Sequence, residues 1–377
     1  MRILHVVPSF YPAFYHGGPI YSLYHLCNAL VKSGIELKVL TTDMCGRDHL
    51  QIREFPLYAP LGYPIYFFRR RFFVSVAPGL LGYLLKMVRW ADVVHLTAVY
   101  SFPTIPTLLM CRLLSKPIVW SPRGSLERWD GSRRLLVKRI WEWICRHVMP
   151  QRTFLHVTSE EEAKASETCF KKIPTRIVPN GVDIPAEVKH TNGNGTLRLL
   201  YLSRLDPKKG LENLLQACQL LNQNKPLKWT LKIAGFGEPS YVRKIEALLK
   251  ESNFGNQVEM VGKVEGDEKE KWFQDTDVFI FPSHTENFGV VVAESLAHGI
   301  PVIVSRGTPW KRVEEKDCGL WVENHPESLA QAIEKISKMP LRQMGSRGRQ
   351  WMQEEFSWDQ QAKKMSHVYF EINKNGN

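Results

Sequence analysis

The stretch "FPSHTENFGVVVAESLAHGIPVIVS", residues 281–305, carries two glutamates, Glu286 and Glu294, eight positions apart. The runs at its two ends are β-branched and apolar, as is typical of buried parallel strands. A carboxylate beside such a core is costly unless a partner answers its charge. The stretch therefore predicts a strand, a loop with Glu286, a helix from about residue 288 to 299 with Glu294, and a second strand.

The same alternation of strands and helices extends in both directions. Short apolar runs in the first half are "RILHVV", "ELKVLTT", "DVVHLTA", "PIVWSP" and "FLHVTS"; those in the second half are "LRLLYLS", "WTLKIAG", "VEMVG", "VFIFPS" and "PVIVS". Such alternation predicts parallel, doubly wound sheets. Because 377 residues exceed one ordinary core, we expect an α/β fold of two doubly wound, Rossmann-like domains facing across a cleft.

The domain boundary is predicted from a change in composition. The segment "KHTNGNGT", residues 189–196, is polar and glycine-rich, which is typical of a hinge region. We therefore expect an N-terminal domain over residues 1–185 and a C-terminal domain over residues 186–356.

Charge and cysteine content restrict the class of protein. Residues 1–180 hold 24 Lys+Arg and 12 Asp+Glu, so the whole net charge of +12 lies in the first half. This asymmetry indicates a domain that meets an anionic surface or substrate. Seven scattered cysteines without metal-ligand spacing suggest a reducing compartment. "MRILHVVPSF" resembles a first strand more than a signal peptide, and no run is long enough to span a membrane, so we expect a cytoplasmic protein.

Loops that follow the strands are the places to look for ligand-binding residues. "YLSRLDPKKG" places Arg204 and Lys209 between a strand and a helix, where two cations and a helix N-terminus predict an anion site. Solvated loop charges are the alternative. "IAGFGEPS" contains Gly235 and Gly237, which permit close backbone approach, but the third glycine of a dinucleotide fingerprint is missing.

The two glutamates do not form a metal pair, since no His or Cys completes a ligand set. A carboxylate accepts two hydrogen bonds from a vicinal diol, and amides at a helix start hold phosphate or sugar oxygens. The pattern therefore favours a ligand with both sugar and phosphate. The amides at the helix start belong to Asn287, Phe288, Gly289 and Val290.

The motifs "SRLDPKKG", "IAGFGE", "VEMVGKV", the opening stretch and "CGLWV" follow one another in an order that resembles the donor domain of retaining GT-B glycosyltransferases of family 4 (glycosyl transferases group 1). The resemblance covers roughly residues 180–360. It implies transfer of a hexose, glucose or similar, from a nucleoside diphosphate sugar. A UDP-sugar such as UDP-glucose is the first expectation and a GDP-sugar the second.

The resemblance also assigns roles to single residues. It makes Arg204 and Lys209 the diphosphate clamp, Glu286 a contact to the donor sugar and Glu294 the ligand of the ribose. Backbone near Val264 would meet the base. Gly235 and the amides of residues 287–290 complete the expected donor contacts.

In the first half, "FYHGGPIYS" resembles the family's glycine loop, which places Gly17 and Gly18 near the phosphates and acceptor. Many relatives carry a catalytic His after the strand that here reads "PIVWSPRGSL", and Arg123 is the nearest equivalent. An arginine keeps positive charge but cannot act as a base. His95 in "DVVHLTA" is a second candidate, with a packed structural histidine as the alternative. The final helix, residues 357–377, is implied to pack on the first domain.

A departing diphosphate needs its charge neutralised, which Arg204, Lys209 and a helix N-terminus can do, so no metal or other cofactor is expected. "QDTDVF" contains Asp275 and Asp277 as Asp-x-Asp, a metal motif of the other major glycosyltransferase fold, but we predict a helix end there. Glu286 as a nucleophile is one possible mechanism. Front-face displacement within an ion pair, in which the β-phosphate takes the acceptor proton and Glu286 orients the sugar, is favoured.

Residues 67–73 and 133–149 are both basic and aromatic, which suits contact with a membrane interface. Core-packed helices with solvated arginines are the alternative. A lipid-linked saccharide, or a polysaccharide, is the expected acceptor. A GT-B sugar-nucleotide epimerase and a GDP-mannose-dependent mannosyltransferase are the alternative functions. Nucleic-acid binding is not expected, since no recognition module is present.

Overall fold

A computed structural model describes residues 1–13, 18–46, 48–71, 76–126, 135–191, 195–224, 227–252 and 254–374. The chain divides into an N-terminal unit, Met1–Gly181 with Trp358–Asn377, and a C-terminal unit, Val182–Ser357. The predicted hinge at residues 189–196 was wrong, because it lies inside the C-terminal unit. Thr191 is tied there, since its amide donates to the carbonyl of Gln274 at 3.1 Å. A polar, glycine-rich sequence indicates a surface loop but not a change of domain.

The N-terminal unit is built on a sheet of eight strands. In chain order its strands are β1 (Arg2–Val6), β2 (Glu36–Thr42), β5 (Leu57–Tyr58), β6 (Pro64–Phe68), β7 (Val93–Thr97), β8 (Ile118–Ser121), β9 (Thr153–Val157) and β10 (Thr175–Ile177). Two further strands, β3 (Met44–Cys45) and β4 (Asp48–His49), form a separate ribbon. The spatial order is β10-β9-β8-β7-β1-β2-β6-β5. Every pairing is parallel except that of β5 with β6.

Helices cover both faces of this sheet because successive strand residues point to opposite sides. The helices are α1 (Gly18–Lys32), α2 (Pro78–Trp90), α3 (Thr104–Leu113), α4 (Leu135–Val148) and α5 (Glu160–Cys169), together with the last helix of the chain. Ile3 packs in a core with α1 and the last helix. Its neighbour Leu4 packs in a second core with α2, α3 and α4.

The C-terminal unit contains a six-stranded parallel sheet of order β13-β12-β11-β14-β15-β16. Its strands are β11 (Leu197–Leu202), β12 (Trp229–Ala234), β13 (Val258–Gly262), β14 (Val278–Phe281), β15 (Val302–Ser305) and β16 (Gly319–Val322). The helices of this unit are α6 (Leu211–Asn224), α7 (Pro239–Glu251), α8 (Gly266–Gln274), α9 (Val290–Ala297), α10 (Arg312–Glu315), α11 (Pro326–Ile336) and α12 (Leu341–Trp351). The last helix, α13 (Trp358–Lys374), follows in the chain and belongs to the N-terminal unit. Both units are Rossmann-like, which confirms the predicted α/β class.

Candidate functional site

The C-terminal unit has a topological switch point between β11 and β14. The chain leaves β11 towards β12 on one side, and β14 lies on the other side of β11. Ligands of open α/β sheets bind beyond the carboxyl ends of the strands at such a point. The loops that follow β11 and β14 cover residues 203–210 and 282–289, which contain Arg204 and Lys209 in the first loop and Glu286 to Gly289 in the second.

The two loops are fixed against each other by backbone contacts. The carbonyl of Lys208 accepts hydrogen bonds from the amide of His284 at 2.9 Å and from Ser283 Oγ at 3.2 Å. Gly210 has a φ of +66°, and a Cβ there would lie 2.0 Å from the carbonyl oxygen of Pro282. Only glycine fits this position, so the β11 loop can pass directly against the end of β14.

This packing brings Lys209 and Glu286 together. Lys209 Nζ contacts Glu286 Oε2, and the two side chains are 13% and 18% exposed. Glu286 Oε1 accepts from the amide of Asn287 at 3.1 Å, while the Glu286 amide donates to the carbonyl of Gly307 at 2.9 Å. Sequence analysis predicted both residues as site residues, but it did not predict their direct contact.

Arg204 lies on the same loop but does not join that pair. Its side chain is 62% exposed, and Nη2 lies 3.4 Å from Asp206 Oδ2. Such an exposed ion pair contributes little to stability, so the guanidinium can change partner at little cost.

The helix that carries Glu294 begins at Val290, two residues later than predicted, and ends at Ala297. Gly289 precedes it with a φ of +74°, and a Cβ there would lie 3.3 Å from Glu286 Cγ. The ring of Phe288 is buried, and its carbonyl accepts a hydrogen bond from Trp310 Nε1. Phe288 can therefore offer a ligand only its backbone.

Glu294 is held from one side only. Lys269 Nζ on α8 donates to Glu294 Oε1 at 2.7 Å. Oε2 of the same carboxylate is buried and has no hydrogen-bond partner among the described residues. One oxygen of this carboxylate is therefore still available as an acceptor.

Gly235 and Val264 have packing explanations of their own. A Cβ at Gly235 would lie 1.8 Å from the carbonyl oxygen of Ser203, so glycine is needed for contact between the β11 and β12 loops. Val264 is buried in the core around α9, which leaves its backbone as the part able to meet a base. Their predicted donor contacts stay predictions.

Family models match almost the whole chain in two parts. The model for Glycosyltransferase Family 4 matches residues 16–185, and the model for Glycosyl transferases group 1 matches residues 185–351. The chain belongs to the family 4, group 1 glycosyltransferases of the GT-B fold. The predicted resemblance is thereby confirmed.

Three similar proteins illustrate this membership. An uncharacterized glycosyltransferase of Methanocaldococcus jannaschii is 31% identical over 45% of this chain and 44% of its own length. A GDP-mannose:cellobiosyl-diphosphopolyprenol alpha-mannosyltransferase of Xanthomonas campestris is 24% identical over 90% of this chain and 88% of its own. The crystal structure of Anabaena HepE in complex with UDP has a TM-score of 0.74 at 15% identity, covering 98% of this chain and 99% of that one. The chain spans about half the length, 38% to 58%, of most of the curated relatives it matches.

In the N-terminal unit of this glycosyltransferase, Gly17 lies outside the described residues and Gly18 is the first residue of α1. Arg123 follows β8 with a φ of +54°, and its Nη1 donates to Asn180 Oδ1 at 2.7 Å. The next amide, of Gly124, donates to Glu162 Oε1 at 2.5 Å. Burial lowers the pKa of Arg123, but an arginine keeps its charge.

His95 lies in surroundings that favour the structural alternative named from the sequence. It is fully buried, its Nε2 lies 2.7 Å from Ser121 Oγ, and its Nδ1 lies 2.5 Å from Tyr369 Oη. Ser121 Oγ is also 2.6 Å from His156 Nδ1, and His156 Nε2 is 2.9 Å from the carbonyl of Val178. Both ring nitrogens of His95 are engaged by protein atoms and the side chain has no exposed surface, which favours a packed structural histidine. A contact between His95 and the substrate stays a prediction.

The direction of this chain follows from its end. Because a carbonyl only accepts, His156 Nε2 must donate to it, Ser121 donates to His156, His95 donates to Ser121 and Tyr369 donates to His95. Tyr369 Oη can then accept from His5 Nε2 at 3.3 Å. All three histidines are neutral in this scheme, in agreement with burial, which lowers the pKa of His5 and of His156 to about 3.

Sequence reasoning did not predict several residues around Glu294 and in the histidine chain. Lys269 gave no signal, because its contact with Glu294 depends on the packing of α8 on α9. The histidine chain did give one, since three parallel strands each carry one histidine and β1 and β7 pair His5 with His95. Asp275 caps α8, which confirms the predicted helix end, and both it and Asp277 bind Arg198.

Proposed function

We propose that this chain transfers a hexose with retention of configuration from a nucleoside diphosphate sugar, a UDP-sugar such as UDP-glucose, to a polysaccharide or lipid-linked saccharide. The observation that carries the proposal is the contact of Lys209 with Glu286 at the switch point of the C-terminal unit, with the exposed Arg204 on the same loop. Cations fixed at this point suit a diphosphate. Glu286 lies beside them, as a contact to the attached sugar requires.

The chemistry of the leaving group gives each residue its task. Lys209 and Arg204 neutralise the charge that grows on the departing diphosphate, which strengthens their contacts in the transition state. As Lys209 turns to the diphosphate, Glu286 is released to accept hydrogen bonds from sugar hydroxyls. The β-phosphate takes the proton of the acceptor during front-face displacement. Fixed side chains and amides supply this stabilisation without a metal ion.

Two donors deserve direct comparison. Anabaena HepE was solved with UDP, which supports a uridine donor, whereas the Xanthomonas relative that aligns with 90% of this chain is named for GDP-mannose. A thermal-shift panel of UDP, GDP, UDP-glucose and GDP-mannose tests the choice, since a ligand at 100 times its Kd stabilises the fold by about 2.7 kcal/mol. Stabilisation by GDP and GDP-mannose alone would favour the mannosyltransferase. Isomerisation of the sugar nucleotide without an acceptor would favour an epimerase, and stabilisation by none of the four would contradict the proposal.

We further propose that the acceptor is lipid-linked and that the chain works in the cytoplasm, as a peripheral protein on the inner face of the plasma membrane. Among the described residues, no helix is both long and apolar enough to cross a bilayer. Of the two predicted contact stretches, residues 67–73 offer little, because Phe67, Phe68 and Arg70 are buried. Residues 72, 73, 133 and 134 lie outside the described residues.

The second stretch supports membrane contact. On α4 the side chains of Leu136, Val137, Ile140 and Trp143 are all exposed. Helices α2, α3 and α4 together contain six Lys+Arg and one acidic residue, Glu142. That residue is buried and accepts a hydrogen bond from Tyr100 Oη at 2.5 Å. Apolar side chains flanked by uncompensated cations suit an anionic lipid surface.

Sedimentation with vesicles tests this contact. The protein should bind phosphatidylglycerol vesicles, and the variant Leu136→Ser with Trp143→Ser should lose most of that binding. The matched control is Ile177→Ser with Phe370→Ser, which replaces two exposed apolar side chains outside α2, α3 and α4. Equal binding of the double variant, or equal binding to neutral phosphatidylcholine vesicles, would contradict an anionic membrane as the partner.

A further inference from the structure

Lys269 donates a hydrogen bond to only one of the two carboxylate oxygens of Glu294 in the proposed donor site. The lysine comes from the second turn of α8 and reaches Glu294 on α9, with the two side chains 24% and 15% exposed. Its Nζ occupies Oε1 at 2.7 Å, while the buried Oε2 has no partner among the described residues. The two oxygens of one carboxylate are thus in different situations.

A buried carboxylate oxygen without a hydrogen-bond donor is unfavourable, so a donor is expected from outside the protein. A hydroxyl of a bound ligand can supply it. Because Lys269 already fixes Oε1, the carboxylate cannot turn to offer both oxygens elsewhere. The lysine therefore determines which oxygen faces the ligand and offsets a negative charge near the expected diphosphate.

Another Lys–Glu pair of the C-terminal unit, Lys244 with Glu212, has the arrangement expected of a purely structural ion pair. Lys244 Nζ on α7 donates to Glu212 Oε1 on α6 at 3.1 Å, and Tyr241 Oη donates to Glu212 Oε2 at 2.6 Å. Both oxygens of Glu212 are occupied by the protein itself. Glu294 has the same kind of lysine and lacks the second donor.

We infer that Lys269 is a positioning residue for the nucleotide, which keeps Glu294 Oε2 aimed at a ribose hydroxyl. The inference rests on the proposed function, because it takes a nucleoside diphosphate as the ligand. Among the described residues, Lys269 Nζ donates to Glu294 Oε1 and lies over the ring of Phe273. It acts through Glu294 alone, so its effect must depend on the ribose hydroxyls.

Calorimetric titration with UDP, and with GDP in parallel, of the wild type, Lys269→Met, Lys269→Arg and Lys244→Met tests the inference. Lys269→Met should weaken binding about 10-fold, the effect of losing about 1.4 kcal/mol. Lys269→Arg should restore most of the affinity, because an arginine also donates to a carboxylate. Lys244→Met, the matched control, should bind as the wild type does.

The decisive comparison uses the 2′,3′-dideoxy form of whichever nucleotide binds. The wild type should bind it more weakly than the ribose form, and Lys269→Met should cause no further loss. Equal affinity of Lys269→Met and the wild type for the ribose form would overturn the inference, as would an equal loss with both forms. A wild type that binds neither UDP nor GDP would instead overturn the proposed function, and this inference with it.

Discussion

The buried histidine chain of the N-terminal unit and the pairs Glu286–Lys209 and Glu294–Lys269 of the C-terminal unit are both polar groups set into apolar surroundings. His95 has no exposed surface and both its ring nitrogens are engaged by protein atoms. The Glu286 and Glu294 side chains are partly exposed, and each is answered by one lysine. Polarity inside a fold therefore does not by itself indicate a candidate binding site. The C-terminal pairs differ from the histidine chain in their partial exposure and, for Glu294, in an oxygen without a partner among the described residues.

The sharpest test of this contrast removes a cation of the C-terminal site. Lys209→Ala should lower turnover by about 100-fold or more, because its contact strengthens as the diphosphate departs. Arg204→Ala should have an effect of the same order, although the Arg204 side chain is 62% exposed. Steady-state kcat at saturating donor measures both, with the melting temperature as the check on folding. Near-normal turnover in both variants would rule out the diphosphate clamp.

The two glutamates should separate under calorimetric titration. Glu294→Gln should weaken both the sugar nucleotide and the free nucleoside diphosphate by about 1.5 to 3 kcal/mol, the value of a charged hydrogen bond. Glu286→Gln should change nucleoside diphosphate binding by no more than about 0.5 kcal/mol, because Glu286 is proposed to contact only the donor sugar, while transfer falls sharply. Equal losses of nucleotide affinity in the two variants would mean that the pair is one structural network.

The histidine chain should respond in stability and not in binding. Tyr369→Phe removes the hydroxyl between His5 and His95, which should lower the free energy of unfolding by about 1 to 3 kcal/mol. Urea denaturation measures this loss, and nucleotide affinity should stay at the wild-type value. A variant of full stability that binds nucleotide poorly would place the chain in the functional site after all.

Acidification should destabilise the fold through the buried histidine chain. Burial lowers the pKa of His5 and of His156 from 6.5 to about 3, so below pH 6.5 the unfolded chain binds protons that the folded chain does not. The free energy of unfolding should therefore fall as the pH drops from about 6.5 towards 3, by about 1.4 kcal/mol per pH unit for each histidine. Between pH 6 and 5, His156→Gln should show a slope smaller by about that amount. An identical slope would mean that His156 is already protonated in the fold.

The smallest expected effect is that of a chelator. Since fixed side chains and amides meet the charge of the diphosphate, excess EDTA should leave the transfer rate within about twofold of its original value. Loss of activity that manganese restores would return attention to Asp275 and Asp277. Both carboxylates would then have to leave Arg198, their present partner.

Sequence reasoning predicted doubly wound parallel sheets without their strand order, and it identified the loops that follow β11 and β14. Lys209 and Glu286 could be named because residues after parallel strands meet at one edge of a sheet. Lys269 could not, since 25 positions separate it from Glu294 and only helix packing joins them. The hinge was misplaced because composition reports a surface loop and not the place where tertiary contacts change partner.

The position of Tyr369 in the chain has a consequence for how the protein is made. The core of the N-terminal unit includes Met365, Tyr369 and Ile372, which all belong to α13. Domains generally fold in the order of synthesis, yet these residues leave the ribosome only after the whole C-terminal unit, Val182–Ser357. All eight strands of the N-terminal sheet are thus synthesised before the C-terminal unit, and the sheet lacks its covering helix until that unit has been made. The N-terminal unit can therefore be completed only after the C-terminal unit has been synthesised.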